Sequence, residues 1–422
     1  ANATFEEAGG IDLHELDRDD PMADIYRAPM LSMNTEEMVL DWVLAAEDGV
    51  DPIMCGRARR FFELYSDAIA DLETCPAINR LVGLKQFGVK RDPRQMQHTQ
   101  GAVATAPYVH DRWTHSRFVA AHVIGLMSRR GYPRHKVGVA AFAALLHDGG
   151  YPAFSHDGDE VSQRLGLPHH EVRGQIIVKT DLDVREALAL AGVNPDEVLE
   201  VMAERGDLGS LLRLADTLAY VVMDRRMIGG QDLGLFSTGT IFSVTGVQDG
   251  ILEVQTTAWI EDLVRDRAGL SREVYYHPNN MVAAEALKLT LEYVIRRSLI
   301  PLKVFIEGTD SDIEHAMTGL GNNPRRVHLP EYIRRAWDLA HHIEMPGPTW
   351  RTVRVDTREE AERVLLSVPH ELLPMTMAVW PFDYTRKTYR VRDPDGVVHD
   401  IRAPSSMIPP SQRQYRLYLW GD

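Results

Sequence analysis

Cysteine is scarce in this chain: Cys55 and Cys75 are the two thiols among 422 residues. So small a number argues against a disulfide scaffold and for buried thiols in a reducing compartment. Long hydrophobic runs are missing as well, and no apolar stretch approaches the roughly twenty residues of a membrane-spanning helix. The opening stretch, ANATFEEAGGIDLHELDRDD, lacks the basic-then-apolar order of a secretion signal, so a cytoplasmic protein is the expectation. Positive charge is the third deficit. With 46 basic against 61 acidic residues and a formal net charge of −15, broad nucleic-acid binding is disfavoured. A small anionic ligand stays open, because a local cluster can oppose the global field. What remains, 44% hydrophobic and 25% charged, is ordinary for a globular protein, and the length allows a large core with one or two added modules.

The apolar spacing is mostly helical. NTEEMVLDWVLAAED, GRARRFFELYSDAIADLET, CPAINRLVGLKQFG, HDRWTHSRFVAAHVIGLMSRRGYP, RHKVGVAAFAALLHDGG, PHHEVRGQIIVKT and DLGSLLRLADTLAYVVMDRRMIGG all read as helices. So do NMVAAEALKLTLEYVIRRS and PEYIRRAWDLAHHIE. The stretch from Val89 to Ala106 is polar and aperiodic, a long loop. Two segments change to a period of two around glycine-bearing turns, TIFSVTGVQDGILEVQT and TYRVRDPDGVVHDIRAP, and predict β-hairpins. The expected fold class is mainly α, a helical core with small β-hairpins and an α+β C-terminal part. The expected division is an acidic arm and helical cap over 1–74, a main domain over 75–340, and a C-terminal subdomain over 341–422.

Polar residues that interrupt apolar helices select the candidate site. His115 lies in RWTHSRFVAA, His147 and Asp148 end AAFAALLHD, and Asp216 sits inside LLRLADTLAYVV. A carboxylate in a Leu/Ala/Val helix is costly to bury unless a cation or donor meets it. Two imidazoles with two carboxylates form a mixed set suited to one divalent ion, with Mn, Mg, Fe, Zn and Ni unresolved. Buried His–Asp hydrogen bonds without metal are the competing reading. His399-Asp400, His341-His342 and His169 read as surface residues, His122 as a satisfied core histidine, and Asp157 as a solvated neighbour.

In this order, His115, His147-Asp148 and Asp216 resemble the HD-domain metal-dependent phosphohydrolase superfamily. The elements INRLVGLKQFG, HDRWTHS, HDGGYPAFSH, HHEVRGQII, DTLAYVVMD, VYYHPNNMVAAEAL and GTDSDIEHAM resemble more particularly its deoxynucleoside triphosphate triphosphohydrolase branch, over roughly residues 75–345. The resemblance implies that the four residues hold the metal. It implies catalytic roles at the phosphates for His156, His170 and Asp159, and substrate contacts for Arg112, Gln86, Tyr220, Asp224, Tyr151 and Tyr275. Arg112, one turn before His115, would bind phosphate through its fork of donors. Asp216, Tyr220 and Asp224 share one helix face, and the resemblance places the last two at the sugar. The implied reaction is hydrolysis of a deoxynucleoside triphosphate to deoxynucleoside and triphosphate, and the implied assembly is a homo-oligomer.

Three departures bear on substrate. Tyr151 stands where the branch has a cleft histidine, Thr217 where some relatives carry a phosphate-binding lysine, and Pro278 where another lysine is frequent. Lys90, Arg91, Arg94 or His98 could return the charge. Otherwise the substrate is another phosphorylated nucleotide. A di-iron HD oxygenase and a non-catalytic nucleotide sensor are the remaining alternatives.

Overall fold

A computed structural model of the chain describes residues 52–86, 88–90, 110–128, 130–227, 234–321, 329–342, 350–367, 376–379, 387–407 and 415–420. NTEEMVLDWVLAAED and most of the expected loop after Val89, including Arg91, Arg94 and His98, lie outside them. The expected mainly helical class is what forms, with two small sheets attached.

The helices run in order as α1 (Pro52–Leu64), α2 (Ser66–Thr74), α3 (Pro76–Asn79), α4 (Arg112–Ser128), α5 (Arg134–Leu146), α6 (Ser155–Arg164) and α7 (His170–Thr180). They continue as α8 (Leu182–Leu190), α9 (Pro195–Met202), α10 (Gly206–Met227) and α11 (Gly234–Ser243). The hairpin β1 (Val244–Gln248) and β2 (Ile251–Val254) leads to α12 (Ala258–Leu270) and α13 (Pro278–Arg296), with a π-helical turn over Ser271–Tyr275 between them. Next come α14 (Leu302–Glu307), α15 (Asp310–Gly321), α16 (Glu331–His342), β3 (Trp350–Val355) and α17 (Arg358–Ser367). Strands β4 (Thr376–Val379), β5 (Tyr389–Arg392), β6 (Val398–Ile401) and β7 (Tyr415–Trp420) close the chain.

Helix α5 is the axis of the core. Every residue from Val137 to Leu146 is buried, and their composition explains it. Alanine has the best helix propensity, and small side chains let neighbouring backbones approach on all sides. Helix α4 packs along α5 and also against α10, so the three segments that carry His115, His147-Asp148 and Asp216 are mutual neighbours. The core of α4, α5 and α10 is continuous with α1, α2, α8, α9 and α12. A second apolar cluster gathers α13, α15 and α16 around Phe154 and Phe305.

Both hairpins predicted from alternation are present, and they join. Strand β2 pairs with β1 on one side and, in parallel, with β5 on the other, giving the order β1-β2-β5-β6. Pairing therefore crosses the boundary expected near residue 341. A separate sheet has the order β3-β7-β4. Two local expectations differ. The helical reading of CPAINRLVGLKQFG ends with the 3-10 turn at Gly83, because Leu84 is extended and Lys85 bridges to Asp111. Residues 240–243 of the first alternating run are the last turn of α11, where the Ser243 hydroxyl donates to the Thr240 carbonyl.

His122 is the satisfied core histidine expected from sequence. It is fully buried, its Nδ1 donates to the Phe118 carbonyl at 2.9 Å, and its ring packs edge-on against Phe118. Burial pushes its pKa down to about 4, with the neighbouring His115 acting in the same direction. Between pH 6.5 and 4 the unfolded chain thus binds a proton that the folded chain refuses, so stability is full above this window and falls as the pH drops through it. The loss attributable to His122 is on the order of 3 kcal/mol at the acid end. Urea midpoints measured from pH 7 to 4 should decline less steeply for His122→Gln than for the natural chain, and parallel slopes would remove this assignment.

Candidate active site

The cleft is built where α5 stops. Gly149 and Gly150 end the helix, and a Cβ on Gly150 would lie 2.0 Å from the His170 carbonyl oxygen. Glycine there is what lets α7 close over the helix end and bring His170 beside the His147-Asp148 pair. The chain then turns through Phe154 and Ser155, two consecutive non-glycine residues at positive φ (64° and 53°). Such backbone costs about 1–3 kcal/mol per residue and needs external support. Asp310 supplies it, accepting from the Phe154 amide at 2.6 Å and the Lys85 amide at 3.0 Å. Ser155 Oγ donates to the Lys85 carbonyl at 2.7 Å. Burial raises Asp310 to about 6 against the pull of those two amides. The turn starts α6 with His156 in the cleft.

The expected metal residues converge. Asp216 Oδ1 lies 3.1 Å from His115 Nε2 and 3.8 Å from His147 Nε2. Asp148 reaches both rings, with Oδ1 at 3.2 Å from His147 Nε2 and Oδ2 at 3.8 Å from His115 Nε2. His115, His147 and Asp216 form a group whose ligand atoms all lie within 4.8 Å of one another. The chemistry of the set fits a metal. His147 Nδ1 lies 2.7 Å from the Ala144 carbonyl, which can only accept, so Nδ1 carries the ring's proton. Nε2 faces the carboxylate oxygens, so a second ring proton or a metal ion is what can lie between them. Ligands about 2.1 Å from a common ion stand about 3.0–3.4 Å from one another, close to the spacing seen here.

Burial opposes the charges on Asp148 and Asp216, and their partners outweigh it. Asp148 is held far below the usual carboxylate range by His147, Arg112 and His115. Asp216 is held down by His115, Lys387 and His147. Arg112 is fully enclosed. It donates to Asp148 Oδ2 at 2.9 Å, Ser155 Oγ at 3.0 Å and the Gln86 carbonyl at 3.2 Å, and it lies 3.9 Å over the Tyr151 ring. It orients Asp148, leaving two of its five N–H groups for a ligand.

Tyr151 fills the position of the expected histidine in a specific way. Its ring stacks on His170 at 3.7 Å and its hydroxyl lies 2.9 Å from His156 Nδ1. Burial, opposed by Arg112, raises the phenol well above 10, so it acts as a neutral hydrogen-bonding group and not as a base. Cleft enclosure, then Arg112 and His170, hold His156 well below its ordinary value. His170 is lowered as well, chiefly by burial, although its Nδ1 bonds Asp159 Oδ2 at 3.0 Å.

Asp159, His169 and His170 make a second group within ligand distance, but Arg173 already supplies its cation at 2.8 Å from Asp159 Oδ1. The other Arg173 nitrogens reach the Gly150 carbonyl, Ser162 Oγ and the Pro168 carbonyl, making it a clamp between α6 and α7. His169 keeps a well-exposed side chain, as the surface reading expected, while capping α7 and lying 3.3 Å from Asp159 at the cleft wall. The solvated reading of Asp157 is corrected. It is buried and takes Lys90 Nζ on both oxygens at 2.7 Å. His399 remains on its strand, bonded to Asp393 at 2.7 Å, and His341 lies against Trp337, both away from this cleft.

The cleft encloses about 570 Å³, within the range of small-molecule sites. All thirteen residues singled out from sequence line it. Tyr220 accepts from Arg267 Nε at 2.6 Å. Tyr275 donates to Asp224, which also lies 3.3 Å from His110 Nε2. Gln86 Oε1 is buried and has no hydrogen-bond partner among the described residues. Sequence reasoning missed Arg173, Arg267, Lys288 and Lys387. Arg173 carried a signal, one helical turn after His170, whereas the other three come from distant segments.

Neither the known protein-family profiles nor the curated protein sequences give a match to this chain. Among solved structures, the fold is shared with a phosphohydrolase of Bacteroides thetaiotaomicron VPI-5482, at a TM-score of 0.60 and 16% identity, over 83% of this chain and 95% of that one. At that identity the likeness is one of fold. No helix among the described residues is long and apolar enough to cross a membrane.

If the converging acceptors hold a metal, adding Mn²⁺ or Zn²⁺ at a hundred times its Kd should stabilise the fold by about 2.7 kcal/mol, seen as a rise in Tm. His147→Ala and Asp216→Ala should lose that rise. An unchanged rise in both variants would place the ion elsewhere.

Proposed function

We propose that this protein is a metal-dependent phosphohydrolase of the HD type acting on a nucleotide. The observation that carries the reading is the convergence of His115, His147, Asp148 and Asp216 within 3.1–3.8 Å of one another on the wall of a cleft. The two carboxylates are matched in charge by Arg112 and Lys387, so a divalent ion leaves the inner wall with an excess of two positive charges. Such a wall suits a phosphorylated ligand even in an acidic chain. The fold shared with a phosphohydrolase supports the same class.

His115, His147, Asp148 and Asp216 would hold the ion, which when bound supplies Lewis-acid polarisation and an activated water. Arg112 keeps Asp148 in place and offers its remaining N–H groups to a phosphoryl oxygen. His156, steadied by the Tyr151 hydroxyl, is the group placed to hydrogen-bond or protonate the departing oxygen. Asp159 holds the His170 ring through Nδ1, which leaves Nε2 for the substrate. Gln86, with its unmatched oxygen, and Tyr220 and Asp224, in line along α10, are assigned to the nucleoside. We assign the substrate as a deoxynucleoside triphosphate cleaved to deoxynucleoside and triphosphate, the ion as Mn or Mg, and the working form as a cytoplasmic homo-oligomer. These assignments follow the motif resemblance.

Incubating the full chain with Mn²⁺ or Mg²⁺ and a mixed nucleotide pool, with products identified by mass spectrometry, should yield deoxynucleoside and triphosphate. Asp148→Ala and Asp216→Ala should abolish turnover, and His156→Ala should slow it by about 10²–10⁴-fold. Release of inorganic phosphate or pyrophosphate instead would keep the class and change the substrate. A metal-loaded protein that cleaves no phosphate ester refutes the proposal.

A further inference from the structure

Lys387 enters the cleft from the C-terminal part of the chain, beyond the segment that carries the recognised motifs. Its side chain is 20% exposed, and its Nζ stands 3.8 Å from Asp216 Oδ2 and 5.7 Å from the centre of the Tyr220 ring. Among the described residues the ammonium makes no hydrogen bond, so three donors on a largely buried cation face the cleft. The other lysines of the wall are committed. Lys90 is bonded to Asp157 at 2.7 Å, and Lys288 to Glu285 at 2.5 Å and Glu160 at 2.6 Å. Its ion-pair partner Asp216 stands beyond hydrogen-bond reach, so the donors of this largely buried ammonium stay open to an incoming anion.

The position of Lys387 is set by α10, the helix that carries Asp216. Thr388 offers its carbonyl to Arg213 Nη2 at 3.1 Å, and the Arg213 guanidinium lies 5.4 Å from the Tyr389 ring centre. The buried Tyr389 hydroxyl donates to Thr217 Oγ1 at 2.5 Å. Arg213 and Thr217 flank Asp216 three residues before and one residue after it. Parallel pairing of β5 with β2, and the 2.9 Å ion pair of Arg392 with Glu253, hold the strand that follows. Thr217 lacks a charge of its own and instead anchors the strand that brings one.

We propose that Lys387 is a substrate-binding residue that grips the phosphate group beside the metal ligands, so that the C-terminal strand completes the active site. This rests on the phosphohydrolase reading. A phosphate oxygen taken by Lys387 would be held at the Asp216 side of the cleft, opposite Arg112 and His156. The lysine adds a contact that scales with ligand charge, and arginine in its place keeps the charge with a different donor geometry.

The probe is inorganic tripolyphosphate, titrated by calorimetry into the full chain in the presence of Mn²⁺, with bound metal counted separately. The natural chain should bind it. Lys387→Gln should bind at least tenfold more weakly while keeping its metal, and Lys387→Arg should recover most of the loss. In a second measurement that needs no variant, tripolyphosphate should protect Lys387 of the natural chain from amine acylation, read by peptide mass spectrometry. Equal affinity of Lys387→Gln and the natural chain overturns the proposal. So does loss of metal together with the anion, which would make Lys387 a prop for Asp216, and so does unprotected acylation. If the metal-loaded natural chain binds no tripolyphosphate, the Lys387 proposal falls, while the phosphohydrolase reading stands or falls separately on the turnover assay.

Discussion

Four acceptor-bearing side chains aimed at one another across 3.1–3.8 Å set the terms for the rest of this molecule. Two carboxylates and two imidazoles at that range need protons or a metal ion among them, and the chain spends much of its structure holding them there. Helix α5 is packed on every face, which removes its freedom to tilt, and the stop at Gly149-Gly150 puts the His147-Asp148 pair at a defined height. Helices α4 and α10 flank it and present His115 and Asp216 from either side. A strained pair of residues, Phe154 and Ser155, turns the chain so that a second imidazole faces the same space.

Around this centre the electrostatics are graded. The inner wall has its carboxylates held ionised by Arg112, Lys387 and the histidines. One step outward, His170 has its cationic form disfavoured chiefly by burial, and the more exposed His156 by the cleft wall around it and by Arg112 and His170. Imidazoles beside this wall can each lend or take a proton, which the raised phenol of Tyr151 cannot do. Tyr151 instead stacks on one ring and bonds the other, so the departure from the expected histidine tightens the cleft. Farther out, Asp159 with Arg173, Asp157 with Lys90, and Lys288 with Glu285 and Glu160 are closed pairs. They fix the wall, and the second glutamate on Lys288 leaves this set with one negative charge in excess.

The sheet of β1, β2, β5 and β6 acquires a purpose in this arrangement. A hairpin on its own is marginal, and β1-β2 is extended by β5 and β6 from far along the chain. The result ties residue 387 to the α10 helix at Asp216. A cleft whose wall includes Lys387 depends on long-range pairing, because that residue leads into strand β5, which pairs with β2.

Much was legible from residue order alone. The helices around His115, His147-Asp148 and Asp216 follow from apolar periodicity, and the isolation of polar residues within them marks the candidate ligands, because burial of an unpaired charge is costly whatever the fold. The hairpins follow from alternation about glycine turns for the same local reason. Asp157 was misread because burial depends on what packs over a residue, which its neighbours in sequence do not reveal. Lys387 left no trace, since nothing in TRKTYRVR distinguishes a cleft lysine from a surface one. Local chemistry thus determined which residues could bind an ion and which helices bear them. Tertiary packing decided which cations and rings meet them, because those partners are chosen by contacts between segments many residues apart.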